Sequence, residues 1–143
     1  MNQALAREII LFQEEASLRI LVAENDADLR RLVGSALRRD GHHIVEARDG
    51  AELLETLAAT LLDRDVSPFD LVVCEHTLPG MPGISVLAGL RSRDRATPFV
   101  LVTDDAAIGQ RARRLGATVL DHLDVATIRA IARRLSGMTP AND

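Results

Sequence analysis

Five short apolar runs, separated by stretches whose apolar residues switch to a helical period, constrain this chain more than any other feature. Residues 19–23 (RILVA), 44–47 (IVEA), 71–74 (LVVC), 99–103 (FVLVT) and 118–120 (TVL) are rich in β-branched side chains and mostly lack polar alternation. Runs of that kind are expected of strands covered on both faces. Between them Leu29, Leu32, Val33, Ala36 and Leu37 fall at i, i+3, i+4, i+7 and i+8, which predicts a helix turning that stripe to the core. Leu53, Leu54, Leu57, Ala58 and Leu61 repeat the pattern after an Asp49-Gly50 turn. Ile84, Leu87, Ala88 and Arg91 predict a short third helix, and Ile108, Ala112 and Leu115 a fourth, stopped by Gly116. Val125, Ile128, Ile131, Ala132 and Leu135 predict a clearer fifth. Gly41, after Asp40, suits the left-handed position that closes the first helix.

Strands alternating with helices over short connections imply an α/β fold with a parallel sheet. Right-handed crossovers then leave only a few doubly wound topologies. A chain of 143 residues is one domain of ordinary size with room for a real core. The five units occupy residues 18–136. Residues 1–17 stand outside them, where Leu5, Ile9, Phe12 and Ala16 can line one face of an extra helix. Such a helix is marginal alone. It is expected to pack on the domain or on a second copy in a homodimer, or to be the remnant of a linker. Residues 137–143 are expected to fray.

Composition narrows the function. A net charge of −4 argues against a nucleic-acid-binding face, and with no Trp or Tyr there is no base-stacking platform. No apolar stretch approaches a membrane span and no signal-peptide pattern opens the chain, so a cytoplasmic protein is expected. The lone Cys74 excludes an internal disulfide and sits in an apolar run, as a buried thiol does. No His/Cys spacing suggests zinc. All 17 basic residues are Arg; the chain contains no Lys.

In open parallel sheets, ligand chemistry lies beyond the carboxyl ends of the strands, where the strand order reverses. Glu24-Asn25-Asp26 follows the first strand, Glu75-His76-Thr77 the third, Thr103-Asp104-Asp105 the fourth, and Asp121-His122-Leu123 the fifth. With the first and third strands adjacent, Glu24, Asn25 and Glu75 converge. The stretches RILVAENDADLRR (19–31) and DLVVCEHTLPGMPG (70–83), with the Asp49-Gly50 turn and the Gly116-Ala117 pair, resemble response-regulator receiver domains. The resemblance covers roughly residues 18–135. It implies a flavodoxin-like, CheY-like five-stranded sheet in the order 2-1-3-4-5.

It also implies a chemistry. In receivers a carboxylate takes a phosphoryl group from a histidine kinase. Two acidic residues after the first strand help to hold Mg²⁺, a Thr or Ser after the fourth contacts the phosphoryl group, and a Lys after the fifth pairs with it. Glu24 matches the first acidic position. Asn25 stands where the metal-binding Asp is usual, and Glu75 where the acceptor Asp is usual; these three would form a degenerate, weak Mg²⁺ site. Thr103 matches the hydroxyl position. The Lys position falls at or beside His122, with Asp121 or Leu123 as alternatives, and none restores the cation. The aromatic switch position maps near Leu120. The segment from Thr103 to Gly116 is slightly short for the family's fourth helix.

A Glu carboxylate lies one bond, roughly 1.5 Å, further out than that of Asp, and reaction geometry is sensitive to displacements of about 1 Å. The expectation is therefore a pseudo-receiver that signals through protein contacts, with Glu75 either unused or imitating a phosphoaspartate. Its partners would be a histidine kinase or a downstream effector, because these residues include no DNA-binding domain. Two other classes compete: a working phosphorelay receiver with a relaxed site, and a small phosphatase-like hydrolase. The last rests on the faint likeness of Glu24-Asn25-Asp26 to the Asp-x-Asp of haloacid dehalogenase-type enzymes.

Simpler readings stand beside these. Asp26 can merely cap the first helix. His76 and His122 can be solvated or structurally hydrogen-bonded. The pairs Arg30-Arg31, Arg38-Arg39, Arg113-Arg114 and Arg133-Arg134 read as solvated helix faces with nearby acids.

Overall fold

The computed structural model describes residues 2–4, 16–94 and 96–138. Leu5, Ile9 and Phe12 of the N-terminal stripe lie outside them. The five apolar runs are strands β1 (Arg19–Ala23), β2 (His43–Ala47), β3 (Leu71–Glu75), β4 (Phe99–Val102) and β5 (Thr118–Leu120). They alternate with helices α1 (Ala27–Arg39), α2 (Gly50–Leu62), α3 (Gly83–Arg91), α4 (Ala106–Arg114) and α5 (Val125–Met138). All pairings are parallel and the order is β2-β1-β3-β4-β5, as expected. The connection therefore turns back between β1 and β3, whose registers align Ala23 with Cys74.

Side-chain alternation along each strand builds two cores. Ile20, Val22, Leu71, Val73, Val100 and Val102 meet Val33 and Leu37 of α1 and Ile128 and Ala132 of α5. Leu21, Val72, Cys74, Phe99 and Leu101 meet Leu53 of α2, Leu87 of α3 and Ala112 of α4 on the other side. Double coverage is why the strands read as unbroken apolar runs.

Three expectations are revised. In α1 only Val33, Ala36 and Leu37 of the stripe are buried; Leu29 is 41% and Leu32 53% exposed. Leu54 and Leu61 of α2 are likewise exposed. A helix resting on a sheet buries a narrower arc than its apolar stripe spans. The fourth helix is a regular nine-residue element despite its short segment, capped by Asp105, whose side chain accepts from the Ile108 N–H. α5 continues through Met138, two residues past the expected boundary. Gly41, with φ of 96°, closes α1 as expected.

The chain enters β1 over a polar contact. His42 Nδ1 accepts from the Leu18 N–H at 3.1 Å, which requires that nitrogen to be unprotonated. Burial holds the His42 pKa below the usual histidine value, against the opposing pull of Asp40 and Asp70. A histidine depressed in the folded state contributes stability that is complete above its unfolded pKa, about 6.5, and is lost as pH falls through the folded value. Urea denaturation at about pH 8 and about pH 5 is expected to show that loss, and His42→Asn, which keeps an acceptor, should remove this component of it.

Candidate functional site

The site forms where the strand order reverses. Strand pairing carries the backbone past each tip: the Glu24 N–H donates to Ala47 O, His76 N–H to Val102 O, and Thr103 N–H to Leu120 O. These bonds hold the ends of β1, β3 and β4 at one level. Glu24 and Glu75 thus face each other across the β1–β3 boundary.

Glu24 is only 6% exposed. Its Oε1 accepts weakly from the Asp26 N–H at 3.4 Å, and its Oε2 is buried with no hydrogen-bond partner. Burial, and next the charge of Glu75, raises the Glu24 pKa above the usual carboxylate range. Glu75 is half-buried; its Oε1 accepts from the Thr77 N–H at 3.5 Å. Burial raises its pKa as well, Asp104 adds to this, and the Thr77 and His76 amides oppose it. Two carboxylates that resist ionisation therefore share one mouth, and the charge of Arg30 on Glu24 is outweighed by burial and by Glu75. Glu24→Gln is expected to raise unfolding stability at neutral pH, since it removes a disfavoured buried charge. Chemical denaturation measures it.

Asn25 is exposed beside them. Asp26 caps α1, accepting from the Asp28 and Leu29 N–H groups, as its position suggested. Thr103 is nearly buried, and its Oγ1 accepts from the Asp105 N–H at 3.2 Å. The hydroxyl oxygen thus accepts at the start of α4, and no hydrogen bond joins it to Glu75. His122 is exposed and its Nδ1 lies 2.6 Å from Asp121 Oδ1, outside the carboxylate mouth's hydrogen bonds. Leu120 is half-buried against the α1–α5 core. An open hollow of 810 Å³ lies along α4 and β5, lined by Thr103, Asp104, Ala106, Gly109, Arg113 and Val119. Small residues on α4 leave this space. His76 Nδ1 accepts from the Ile84 N–H at 3.4 Å, so this histidine braces the start of α3. Cys74 is fully buried, and its thiol pKa is pushed far up by burial.

One positioning residue was hidden from sequence reasoning. Arg30, read as part of a solvated pair, has a side chain only 13% exposed. Its Nη1 donates to Glu24 O at 2.7 Å and to Asn25 O at 3.5 Å, while Nε pairs with Glu46 Oε1 at 3.3 Å. It ties the acidic loop to α1 and β2. Glu46 also receives Arg38 at 3.0 Å. The available signal was Glu46, a charged residue inside a strand, which needs a cationic partner.

The donor set can be tested against Mg²⁺. The orphaned Glu24 Oε2 is an atom that a cation would satisfy. Against it, no group of three or more His, Cys, Asp or Glu side chains is arranged to hold a metal among the described residues. Two reluctant carboxylates and one neutral amide do not make the three-carboxylate site that the family's reaction uses, and no step is derived through a metal.

A doubly wound 2-1-3-4-5 sheet with acidic side chains at the switch point is the architecture of a receiver-type signalling domain. The chain belongs to the response regulator receiver domain family, whose sequence profile matches residues 20–124. It is 29% identical over 127 residues to the transcriptional regulatory protein TcrA of Mycobacterium tuberculosis, covering 83% of this chain and 47% of TcrA. It is 33% identical over 128 residues to the probable transcriptional regulatory protein TcrX of that organism, covering 84% and 51%. The chain thus spans about half the length of the curated relatives it matches. Among solved structures, it resembles the signal receiver domain of the putative response regulator NarL from M. tuberculosis (27% identity, TM-score 0.67, covering 85% and 98%). The non-phosphorylated HemR receiver domain from Leptospira biflexa shares the fold at 22% identity, with a TM-score of 0.70 and coverage of 87% and 98%. No described helix is long and apolar enough to cross a membrane.

Proposed function

We propose that this receiver domain, taken as residues 18–136, is a pseudo-receiver. It transmits signals through protein contacts, without phosphotransfer at Glu75 and without enzymatic turnover. The observation that carries the reading is the composition of the switch-point mouth. The acceptor position holds the longer Glu75, the second acidic position holds neutral Asn25, and the pairing cation is missing because the chain has no Lys. That Thr103 Oγ1 bonds the Asp105 N–H, and Glu75 Oε1 the Thr77 N–H with no bond between the two side chains, supports an inert site over an imitation of phosphoaspartate, since an imitation needs that hydroxyl on Glu75. A phosphorelay receiver of the ordinary kind needs a charged metal site at this point. A structural relative, the response regulator TrrA from Thermotoga maritima, was solved in complex with Mg²⁺ and BeF; here the donor set argues against such a complex.

The partners proposed are a signalling protein such as a histidine kinase or a downstream effector, contacted in the cytoplasm. The acidic charge balance argues against direct nucleic-acid contact by this domain. Amide NMR during titration with Mg²⁺ and beryllofluoride tests the reading. No saturable shifts are expected at residues 24–26, 75–77 or 103–105 up to about 10 mM Mg²⁺, far above what a tight site needs. A saturating, site-confined set of shifts would return the domain to the working receivers.

A further inference from the structure

We propose that the outer face of α2 is a self-association surface, on which a second copy of this chain packs its own α2 antiparallel. Three observations converge on it, and none depends on how the switch-point mouth is read.

The first is the face itself. α2 turns Gly50, Leu53 and Leu57 to the core. Of the five exposed large hydrophobic side chains among the described residues, three lie on its other side: Leu54 at 38%, Leu61 at 43% and Leu62 at 80% exposed. Ala51 is exposed with them, and Ala58 is half-buried. Within α2 the only charged residues are Glu52 and Glu55, and Glu52 is held by Arg48 at 3.2 Å. Removing this stripe from water favours association.

The second is spacing. Ala51, Leu54, Ala58 and Leu61 follow one another at intervals of three, four and three residues, the period with which one helix meets another. Alanine and leucine alternate along the seam, so it is complementary to itself only when reversed. Take a two-fold axis level with the midpoint between Thr56 and Leu57. Leu54 then falls within one residue of the second copy's Ala58, and Leu61 and Leu62 within one residue of its Ala51. Each large side chain faces a small one, as interdigitating layers require. A parallel pairing sets leucine on leucine and leaves alanine opposite alanine.

The third is charge at the two ends. Arg48 and the capping Asp49 precede α2, and Arg64 and Asp65 follow it. Arg48, Arg64 and Asp65 are exposed. No ion pair among the described residues uses Arg64 or Asp65. Antiparallel pairing brings Arg48 toward the second copy's Asp65 and Arg64 toward its Asp49, each twice by symmetry. Parallel pairing brings like charges together. Glu55 is the opposing group: it stands about 5 Å in level from its own copy, which keeps the association weak. A single seam on a helix of 13 residues is also below the size of a stable interface. A dimer with Kd on the order of 50 μM is therefore expected.

The test uses the full chain, followed by sedimentation equilibrium from about 5 to about 500 μM, a range that brackets this Kd. Leu54→Ser with Leu61→Ser is expected to weaken association about tenfold; both side chains are exposed, so the core is left intact. Leu32→Ser, on α1 and 53% exposed, should leave it unchanged. Glu55→Gln should tighten it about twofold by removing a like-charge pair. Orientation is read by disulfide cross-linking, in which Cys74, buried and with its thiol held protonated, stays silent. Position 58 lies about 5 Å in level from its own copy and position 51 about 17 Å. Mild oxidation should therefore link the Ala58→Cys variant into dimers and leave the Ala51→Cys variant unlinked. A chain that stays monomeric over the whole range overturns the proposal. Association that Leu32→Ser abolishes and the α2 serines leave intact overturns it in favour of α1. Equal cross-linking at both positions overturns the antiparallel arrangement.

Discussion

Arg91→Met is expected to cost about 3 to 4 kcal/mol of folding stability and to lower Tm by about 10 °C. Arg91 is only 8% exposed, although it is a charged residue at the end of a surface helix. Its guanidinium donates through Nε to Leu115 O at 2.6 Å, through Nη2 to Thr97 O at 2.8 Å and through Nη1 to Asp94 O at 3.3 Å. One planar fork thus joins the end of α3, the approach to β4 and the end of α4. Methionine fills much of the volume and leaves these carbonyls without donors, which is the costly half of the asymmetry in hydrogen bonding. Arg91→Lys keeps a charge but cannot present three divergent N–H groups in one plane, so it should recover less than half of the loss. Burial lowers the Arg91 pKa, but the group remains charged throughout any accessible range. Urea unfolding of the three proteins, monitored by far-ultraviolet circular dichroism, supplies the comparison.

Gly50→Ala is expected to cost about 3 kcal/mol, at the upper end for inserting one methyl group into close-packed surroundings. A Cβ at Gly50 would meet Met81 O at 2.2 Å and Met81 Cβ at 2.6 Å, and backbone cannot move aside as a flexible side chain can. The Gly50 N–H also donates to Pro79 O at 3.1 Å. The start of α2 is therefore pressed onto the loop that follows Glu75. The variant should perturb amide resonances over residues 75–83 as well as lose stability. Normal stability with an undisturbed loop would show that this contact is looser than its distances state.

The contact also illustrates what was legible in the sequence. Asp49-Gly50 and Leu78-Pro79-Gly80-Met81 read as separate landmarks, yet they are two sides of one junction. Such a junction has no periodic signature. Strands β1, β3 and β4 were legible because burial on both faces leaves uninterrupted apolar runs, and the order 2-1-3-4-5 followed from the resemblance those strand tips carry. The convergence of Glu24 and Glu75 followed from that order alone. Leu29 and Leu32 misled because apolar periodicity marks a stripe without saying how wide an arc the sheet covers. Arg30 was missed because a charged residue on a helix reads as solvated; Arg91 stood on the third helix's stripe, but only the three-dimensional path of the backbone supplies the carbonyls that it reaches. The hydrogen bonding of Thr103 was also out of reach, since it depends on how the loop after β4 folds back to bring the Asp105 N–H onto Oγ1.

Those misses bear on the central reading in different ways. Arg30 and Gly50 show a well-braced mouth: the acidic loop is tied from α1 and the Glu75 loop from α2. The site has kept its scaffold. What it lacks is chemistry, namely charge at Asn25, reach matched to an aspartate at Glu75, and a cation beyond β5.

Intact-protein mass spectrometry after incubation with acetyl phosphate and Mg²⁺ tests that reading most directly. The account predicts an unmodified mass, with a receiver of ordinary site composition labelled alongside under the same conditions. A stoichiometric adduct of about 80 Da, the mass of a phosphoryl group, mapped by fragmentation to Glu75, would contradict it.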